Sequence, residues 1–260
     1  MTHLMGAGAR PKLHEFARTR SVAVFDFDGT LAPIVADREL AHMRPRTRAL
    51  LARVCDLYPC AVVSGRSLAD TIKHLDGLPI SMVFGSHGLE PGPHLKQYQR
   101  MMVEVRIELE RHLGGVPWCD VEDKRYSLAV HYRAAPNRAE AHRAVLQAAG
   151  KLTAPVRLVE GKCVVNIVPR DAPHKGEAVL SIQRHYAAER VMFVGDDVTD
   201  EHAFRYALAH QWLGVRIGKS DHSAAQYYLR RQREIDLLLA RLIRLRSTFR
   251  LSRNLPACAE

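Results

Sequence analysis

Four short apolar runs punctuate this chain, and each stops at a small or acidic residue. Val22-Ala23-Val24-Phe25 leads into Asp26-Phe27-Asp28-Gly29, and Cys60-Ala61-Val62-Val63 into Ser64-Gly65-Arg66. Ile80-Ser81-Met82-Val83-Phe84 leads into Gly85-Ser86-His87-Gly88, and Val191-Met192-Phe193-Val194 into Gly195-Asp196-Asp197. Helical patterns follow. Uninterrupted apolar runs of this length predict strands buried on both faces, as in a parallel sheet covered by helices. Ligands bind beyond the carboxyl ends of such strands, and all four runs carry their polar residues at that end. The pattern points to a site before any motif is considered.

The middle of the chain has a different rhythm. Leu95, Tyr98, Met102, Val105, Leu109 and Leu113 recur at steps of three and four, which predicts an amphipathic helix ended by Gly114-Gly115-Val116-Pro117. Tyr126–Tyr132 predicts a strand, Ala139–Lys151 a helix, and Val156–Val159 and Cys163–Val168 a second pair of strands. Together they predict a small α+β domain inserted into the first, with Pro91-Gly92-Pro93 and Asp171-Ala172-Pro173 as hinges. The expected division is therefore 1–92 with 172–260 as the core domain, and 93–171 as the insertion.

Composition narrows the function classes. The 260 residues are 47% hydrophobic and 25% charged, enough for a substantial core and unlike a disordered chain. The net charge of +10 suits a cleft that attracts an anion, and equally a polyanionic partner. Arg230, Arg231, Arg233, Arg241, Arg244, Arg246, Arg250 and Arg253 alternate with Leu237, Leu238, Leu239, Leu242, Ile243 and Leu245. That alternation predicts a terminal amphipathic helix with a solvated basic face, the segment after Ser247 being a candidate for disorder. Aromatic stacking residues and groove-reading motifs are missing, so no nucleic-acid partner is expected. Cys55, Cys60, Cys119, Cys163 and Cys258 form no CxxC pair, and the histidines no HxxxH, which argues against a disulfide framework or a zinc site. With no apolar run at the start and no stretch of membrane-spanning length, a cytoplasmic protein without a membrane partner is expected.

Candidate chemistry follows from the strand ends. Asp26 and Asp28, two apart, project from one face, and crowding two carboxylates there calls for a positive partner. Mg²⁺ is suited to that place because it prefers carboxylate, carbonyl and water oxygens. Asp196 falls where the first loop residue of another strand faces the same crevice. Asp200 either opens the next helix or supports the metal indirectly, with Asp197 beside it. Ser64 with Gly65 offers a hydroxyl and backbone N–H groups to a phosphate oxygen, and Lys175, before Gly176 at a helix start, offers a charge to the same oxygens. Taken singly, each has a plainer reading as a turn, cap or surface residue.

Asp26-Phe27-Asp28-Gly29-Thr30-Leu31, Ser64-Gly65-Arg66, Lys175-Gly176 and Gly195-Asp196-Asp197 together resemble the four motifs of the haloacid dehalogenase-like phosphatase superfamily. The resemblance covers nearly the whole chain. It implies a doubly wound parallel-sheet (Rossmann-like) α/β core with the smaller insertion as a cap. Gly85-Ser86-His87-Gly88-Leu89-Glu90, Glu122-Asp123-Lys124, His131-Tyr132-Arg133, Glu160-Gly161-Lys162 and the extended Gly195-Asp196-Asp197-Val198-Thr199-Asp200-Glu201 are similar to the trehalose-6-phosphate phosphatases. One position departs: that family usually has a glutamate, associated with holding sugar hydroxyls, where this chain has Asn166.

The resemblance implies Asp26 as nucleophile and Asp28 as acid and then base, with the backbone carbonyl of Asp28 turned to the metal. Asp196 is implied as a further metal ligand, and Ser64 and Lys175 as stabilisers of the transferring oxygens. Asp28 is expected to have its pKa raised. Arg66, His87, Glu90, Lys124, His131, Arg133, Glu160, Lys162 and Asn166 are the substrate-binding candidates, of which about half are expected to touch substrate. The expected reaction is Mg²⁺-dependent hydrolysis of trehalose 6-phosphate by a monomer or small homo-oligomer. The alternatives are a sucrose-phosphate or mannosylphosphoglycerate phosphatase, and a non-catalytic binding protein on the same fold.

Overall fold

Each of the four apolar runs forms a strand, for the reason their continuity suggested. In this computed structural model, which describes residues 1–35, 38–114, 116, 118–161 and 163–254, the strands are β1 (Thr2–His3), β2 (Ser21–Phe25), β3 (Cys60–Val63), β4 (Met82–Phe84), β5 (Asp120–Asp123), β6 (Leu128–His131), β7 (Val156–Gly161), β8 (Val164–Pro169), β9 (Arg190–Gly195), β10 (Leu213–Ile217) and β11 (Tyr227–Leu229). The helices are α1 (Arg10–Arg18), α2 (Pro45–Cys55), α3 (Leu68–Leu75), α4 (Leu95–Leu113), α5 (Arg138–Ala149), α6 (Lys175–His185), α7 (Glu201–His210) and α8 (Ile235–Asn254). The chain divides into two compact units, Met1–Gly88 with His174–Glu260, and Leu89–Pro173.

The first unit is a seven-stranded parallel sheet in the order β1-β11-β10-β9-β2-β3-β4. Every residue of β2 and β3 is buried, because helices cover both faces. Ala23, Phe25, Cys60 and Val62 pack with Leu13 and Phe16 of α1, Leu51 and Val54 of α2, and Leu238, Leu239 and Leu242 of α8. Val22, Val24, Ala61 and Val63 face the other way, onto Val179 and Ile182 of α6 and Phe204 and Ala207 of α7. This is the doubly wound arrangement. The chain runs outward from β2 through β3 and β4, then returns to build β9, β10 and β11 on the other side of β2. Between β2 and β9 lies the switch point where such sheets open a crevice. Phe25 is in register with Val62 and Val194, so the ends of all three strands meet at one edge.

The second unit is an antiparallel sheet, β5-β6-β8-β7. Its helix-covered face packs Leu128, Val130, Val165 and Ile167 against Met102, Val105 and Leu109 of α4 and Val145 of α5. The α4 helix ends where Gly114 turns left-handed (φ 57°) and donates its N–H to the Glu110 carbonyl, as its sequence stop predicts. Gly115 and Pro117 of that stop lie outside the described residues.

Two readings of the C-terminus change. Helix α8 continues past Ser247 to Asn254. Its basic face is also not wholly solvated: Arg246 donates to the carbonyls of Ala17 (2.8 Å) and Thr19 (3.0 Å), capping α1, and stacks 4.8 Å from the Tyr58 ring. Among the described residues no helix is long and apolar enough to cross a membrane.

Candidate active site

Asp26 is the first residue beyond β2, and its N–H donates to the Val194 carbonyl at 2.8 Å, continuing the ladder to β9. Its side chain is buried, and Oδ1 accepts both the Phe27 N–H at 2.7 Å and Lys175 Nζ at 3.0 Å. Lys175 opens α6 and is itself buried, with Nζ 2.6 Å from Asp200 Oδ1. Burial opposes its charge, but Asp200 and Asp26 together more than offset that and hold the lysine above its ordinary pKa.

Asp196 follows β9, and an oxygen of its carboxylate lies within 4.8 Å of oxygens from Asp26 and Asp200. Two features of the chain permit this approach. Gly29 turns left-handed (φ 75°), and a Cβ there would collide with the Asp196 carboxylate. Asp200 Oδ2 accepts the N–H groups of Asp196 (2.8 Å) and Asp197 (3.0 Å), which fixes the loop. Both oxygens of Asp200 are thus used, so it organises the site as well as opening α7, and Asp197, though exposed, accepts the Asp200 N–H with its side chain.

Three buried or half-buried carboxylates, Asp26, Asp196 and Asp200, gather around the Lys175 ammonium, with Arg216 near enough to act on Asp196. Desolvation first, with the other carboxylates adding to it, pushes Asp26 well above the usual carboxylate range and Asp196 up to about 7. Carboxylates respond this way when they are buried with too little counter-charge. The donor set fits a hard divalent cation, with Asp26 and Asp196 as the carboxylates open to it.

Asp28 is arranged differently from its neighbour. Its carboxylate leaves the acidic cluster and pairs with Arg66, Oδ2 accepting Nε–H and Oδ1 accepting Nη2–H, each at 2.7 Å. The partner of Asp28 is thus a guanidinium rather than the acidic cluster. Arg66 was expected at the substrate, yet its side chain is fully covered. Ser64 is also fully buried, its Oγ accepting the Arg66 N–H at 3.2 Å. His87 lies beside it: the His87 N–H donates to the Ser64 carbonyl at 2.8 Å, and the His87 ring occupies the space that a Cβ on Gly65 would need.

The candidates in the second unit divide between the two faces of its sheet. Glu122 pairs with Ala129, and Ala129 with Asn166, so Glu122, His131 and Asn166 share the face opposite α4 and α5. Glu122 Oε2 lies 2.8 Å from His131 Nε2 and 3.9 Å from Lys124 Nζ. The Asn166 amide donates to the Val159 carbonyl at 3.2 Å. Glu160 is separated from these, on the helix side, with Oε2 2.8 Å from His142 Nε2. Arg133 is exposed beyond β6, Glu90 is buried at the start of this unit, and Lys162 lies outside the described residues. Sequence reasoning did not single out Asp70 and His74, which hold Arg66. The signal available was local, a spacing of four running Arg66, Asp70, His74 into α3.

The family model described as trehalose-phosphatase matches residues 24–233. The chain is 36% identical over 208 residues to a trehalose-phosphate phosphatase of Mycobacterium avium, covering 74% of this chain and 53% of that protein. It spans about half the length of the curated relatives it matches. Among solved structures, the C-terminal domain of Candida albicans trehalose-6-phosphate phosphatase superposes with a TM-score of 0.77 at 21% identity, over 91% of this chain and 97% of that one. Trehalose-6-phosphate phosphatase of Aspergillus fumigatus superposes with a TM-score of 0.66 at 25% identity, over 94% and 99%.

Proposed function

This chain belongs to the trehalose-phosphatase family, and from that premise we propose that it hydrolyses trehalose 6-phosphate to trehalose and phosphate. The observation that carries the reading is the Asp26 carboxylate. One oxygen is held by Lys175 and the Phe27 N–H, which leaves Oδ2 as the oxygen to attack phosphorus.

In the first step Asp26 Oδ2 bonds to phosphorus, the bond from phosphorus to the sugar oxygen breaks, and Asp28 gives that oxygen a proton. In the second, water attacks the aspartyl-phosphate, Asp28 takes the water's proton, and Asp26 is regenerated. Lys175 opposes the burial-driven rise in the pKa of Asp26, holds it in place and offsets charge on the phosphoryl oxygens. Ser64 is the candidate donor to one of those oxygens. Asp26 and Asp196, with the Asp28 carbonyl, are the ligands we assign to Mg²⁺. When bound, the ion screens the repulsion between carboxylate and phosphate.

Sugar selection falls to the second unit, with Glu90, Lys124, His131, Arg133 and Asn166 as our candidates, and to His87 of the first. Asn166, a neutral amide engaged with the Val159 carbonyl, favours a second reading in which another sugar phosphate is the substrate. The free thiols Cys55, Cys60, Cys119 and Cys163 suit a reducing compartment.

The test is phosphate release from trehalose 6-phosphate, sucrose 6-phosphate, glucose 6-phosphate and mannosylphosphoglycerate, with Mg²⁺ and with chelator. Turnover of trehalose 6-phosphate that needs Mg²⁺ and falls to background in Asp26→Asn is expected. Turnover of a different member keeps the mechanism and moves the substrate. No turnover by folded, metal-loaded protein would sink the phosphatase reading.

A further inference from the structure

Arg66 is a fully covered arginine whose donors are spent on protein rather than turned toward a ligand. Nε–H and Nη2–H grip the two oxygens of Asp28 at 2.7 Å each. Nη1 lies 2.9 Å from Asp70 Oδ2 and 2.9 Å from His74 Nε2, both on one face of α3. The guanidinium also sits 5.4 Å from the centroid of Phe27, the residue between the two catalytic aspartates. The His74 ring packs against the same phenyl ring at 5.3 Å, so the arginine is held on three sides. The backbone is fixed as well: the Arg66 N–H donates to Ser64 Oγ and its carbonyl accepts the Ser86 N–H at 2.6 Å. A parallel two-point grip fixes the plane of a carboxylate in a way that a single charge cannot.

We propose that Arg66 is a positioning residue that aims the Asp28 carboxylate at the leaving oxygen, with Asp70 and His74 holding Arg66 in turn. It acts through Asp28 and does not contact substrate. The inference rests on the phosphatase reading above and adds to it a line of side chains running from α3 to the acid–base group.

The test compares kcat/KM for a sugar phosphate and for p-nitrophenyl phosphate. That ratio reports only the steps up to departure of the leaving group, and p-nitrophenolate leaves without needing a proton. Arg66→Lys keeps the charge and loses the paired grip. It is expected to lower kcat/KM for the sugar phosphate by about 10²-fold, the scale of general acid catalysis, and to leave that for p-nitrophenyl phosphate within about threefold. Asp70→Asn, which loosens Arg66 without touching Asp28, should give a smaller loss with the same selectivity, and serves if Arg66→Lys does not fold. In an Asp28→Asn background, adding Arg66→Lys should cost the sugar phosphate nothing more. Equal losses on both substrates, or additive losses in the double variant, would overturn the proposal, since they mark a structural or substrate-binding arginine. A wild-type protein that hydrolyses neither substrate would remove the phosphatase reading and this inference together. An active wild type with unselective variants removes this inference alone.

Discussion

At the scale of single residues, the acidic cluster depends on small groups that let charged ones approach. Gly29 is left-handed and directly faces the Asp196 carboxylate. Gly29→Ala should therefore cost about 1–2 kcal/mol of stability from backbone strain and weaken cation binding measured by calorimetry. A variant that binds the cation as tightly as wild type would remove Asp196 from the ligand set. Asp196 itself leads to a pH prediction. Its pKa in the folded protein is raised to about 7, chiefly by burial, so the folded state holds this proton more tightly than the unfolded chain does. In metal-free protein its contribution is harmless at low pH. It becomes destabilising as pH rises through the carboxylate range to about 7, and the cost is then fully present. A bound cation relieves that cost, and below about 7 protons compete with it. Thermal melts should show a larger Mg²⁺-induced rise in Tm at pH 8 than at pH 5.5. An equal rise at both would mean that the cation does not engage this group. Asp26, Asp28, Ser64, Lys175 and Asp196 were all legible in the sequence as strand-end or helix-start residues. The pairing of Asp28 with Arg66 was not, because it joins loops after two different strands.

Among the elements, those with a strong period were legible and those without were not. The β2, β3 and β9 runs and the α4 stripe follow directly from continuous or three-to-four spacing of apolar residues. The β5 strand, Asp-Val-Glu-Asp, sits at the edge of its sheet, where charged residues are tolerated and the hydrophobic signal vanishes. The β10 strand is interrupted by Gly214 and Arg216, and β1 and β11 are too short to show a period. Helix α8 was legible as amphipathic, but its partners were not. Leu242 is wholly buried against the α1–α2 side of the sheet, and its carbonyl accepts the Tyr58 hydroxyl at 3.2 Å. Leu242→Ala should cost about 2–4 kcal/mol in urea unfolding while leaving kcat of the folded fraction unchanged. A loss under about 1 kcal/mol would mean that α8 packs loosely.

For the whole molecule, the first unit is assembled from two separated stretches of chain, and its two cut ends are neighbours: a Cβ on Gly88 would lie 3.1 Å from the His174 carbonyl oxygen. Replacing 89–173 with a short glycine-serine linker should therefore give a folded core that still binds Mg²⁺ and cleaves p-nitrophenyl phosphate, with turnover of trehalose 6-phosphate lost. If that core is unfolded by circular dichroism, the second unit is needed for stability as well as for substrate choice. Sequence alone determined the parallel sheet, the inserted α+β segment and the residues at the strand ends, because buried strands must be apolar and the polar residues that follow them mark the functional edge. Tertiary structure alone decided which charges meet. Lys175 reaches Asp26 and Asp200, and Arg66 takes Asp28 out of the acidic cluster, because β2, β3 and β9 lie side by side in register although their residues are far apart in the chain. An ion pair depends on distance through space, and a linear pattern carries that distance only within one element.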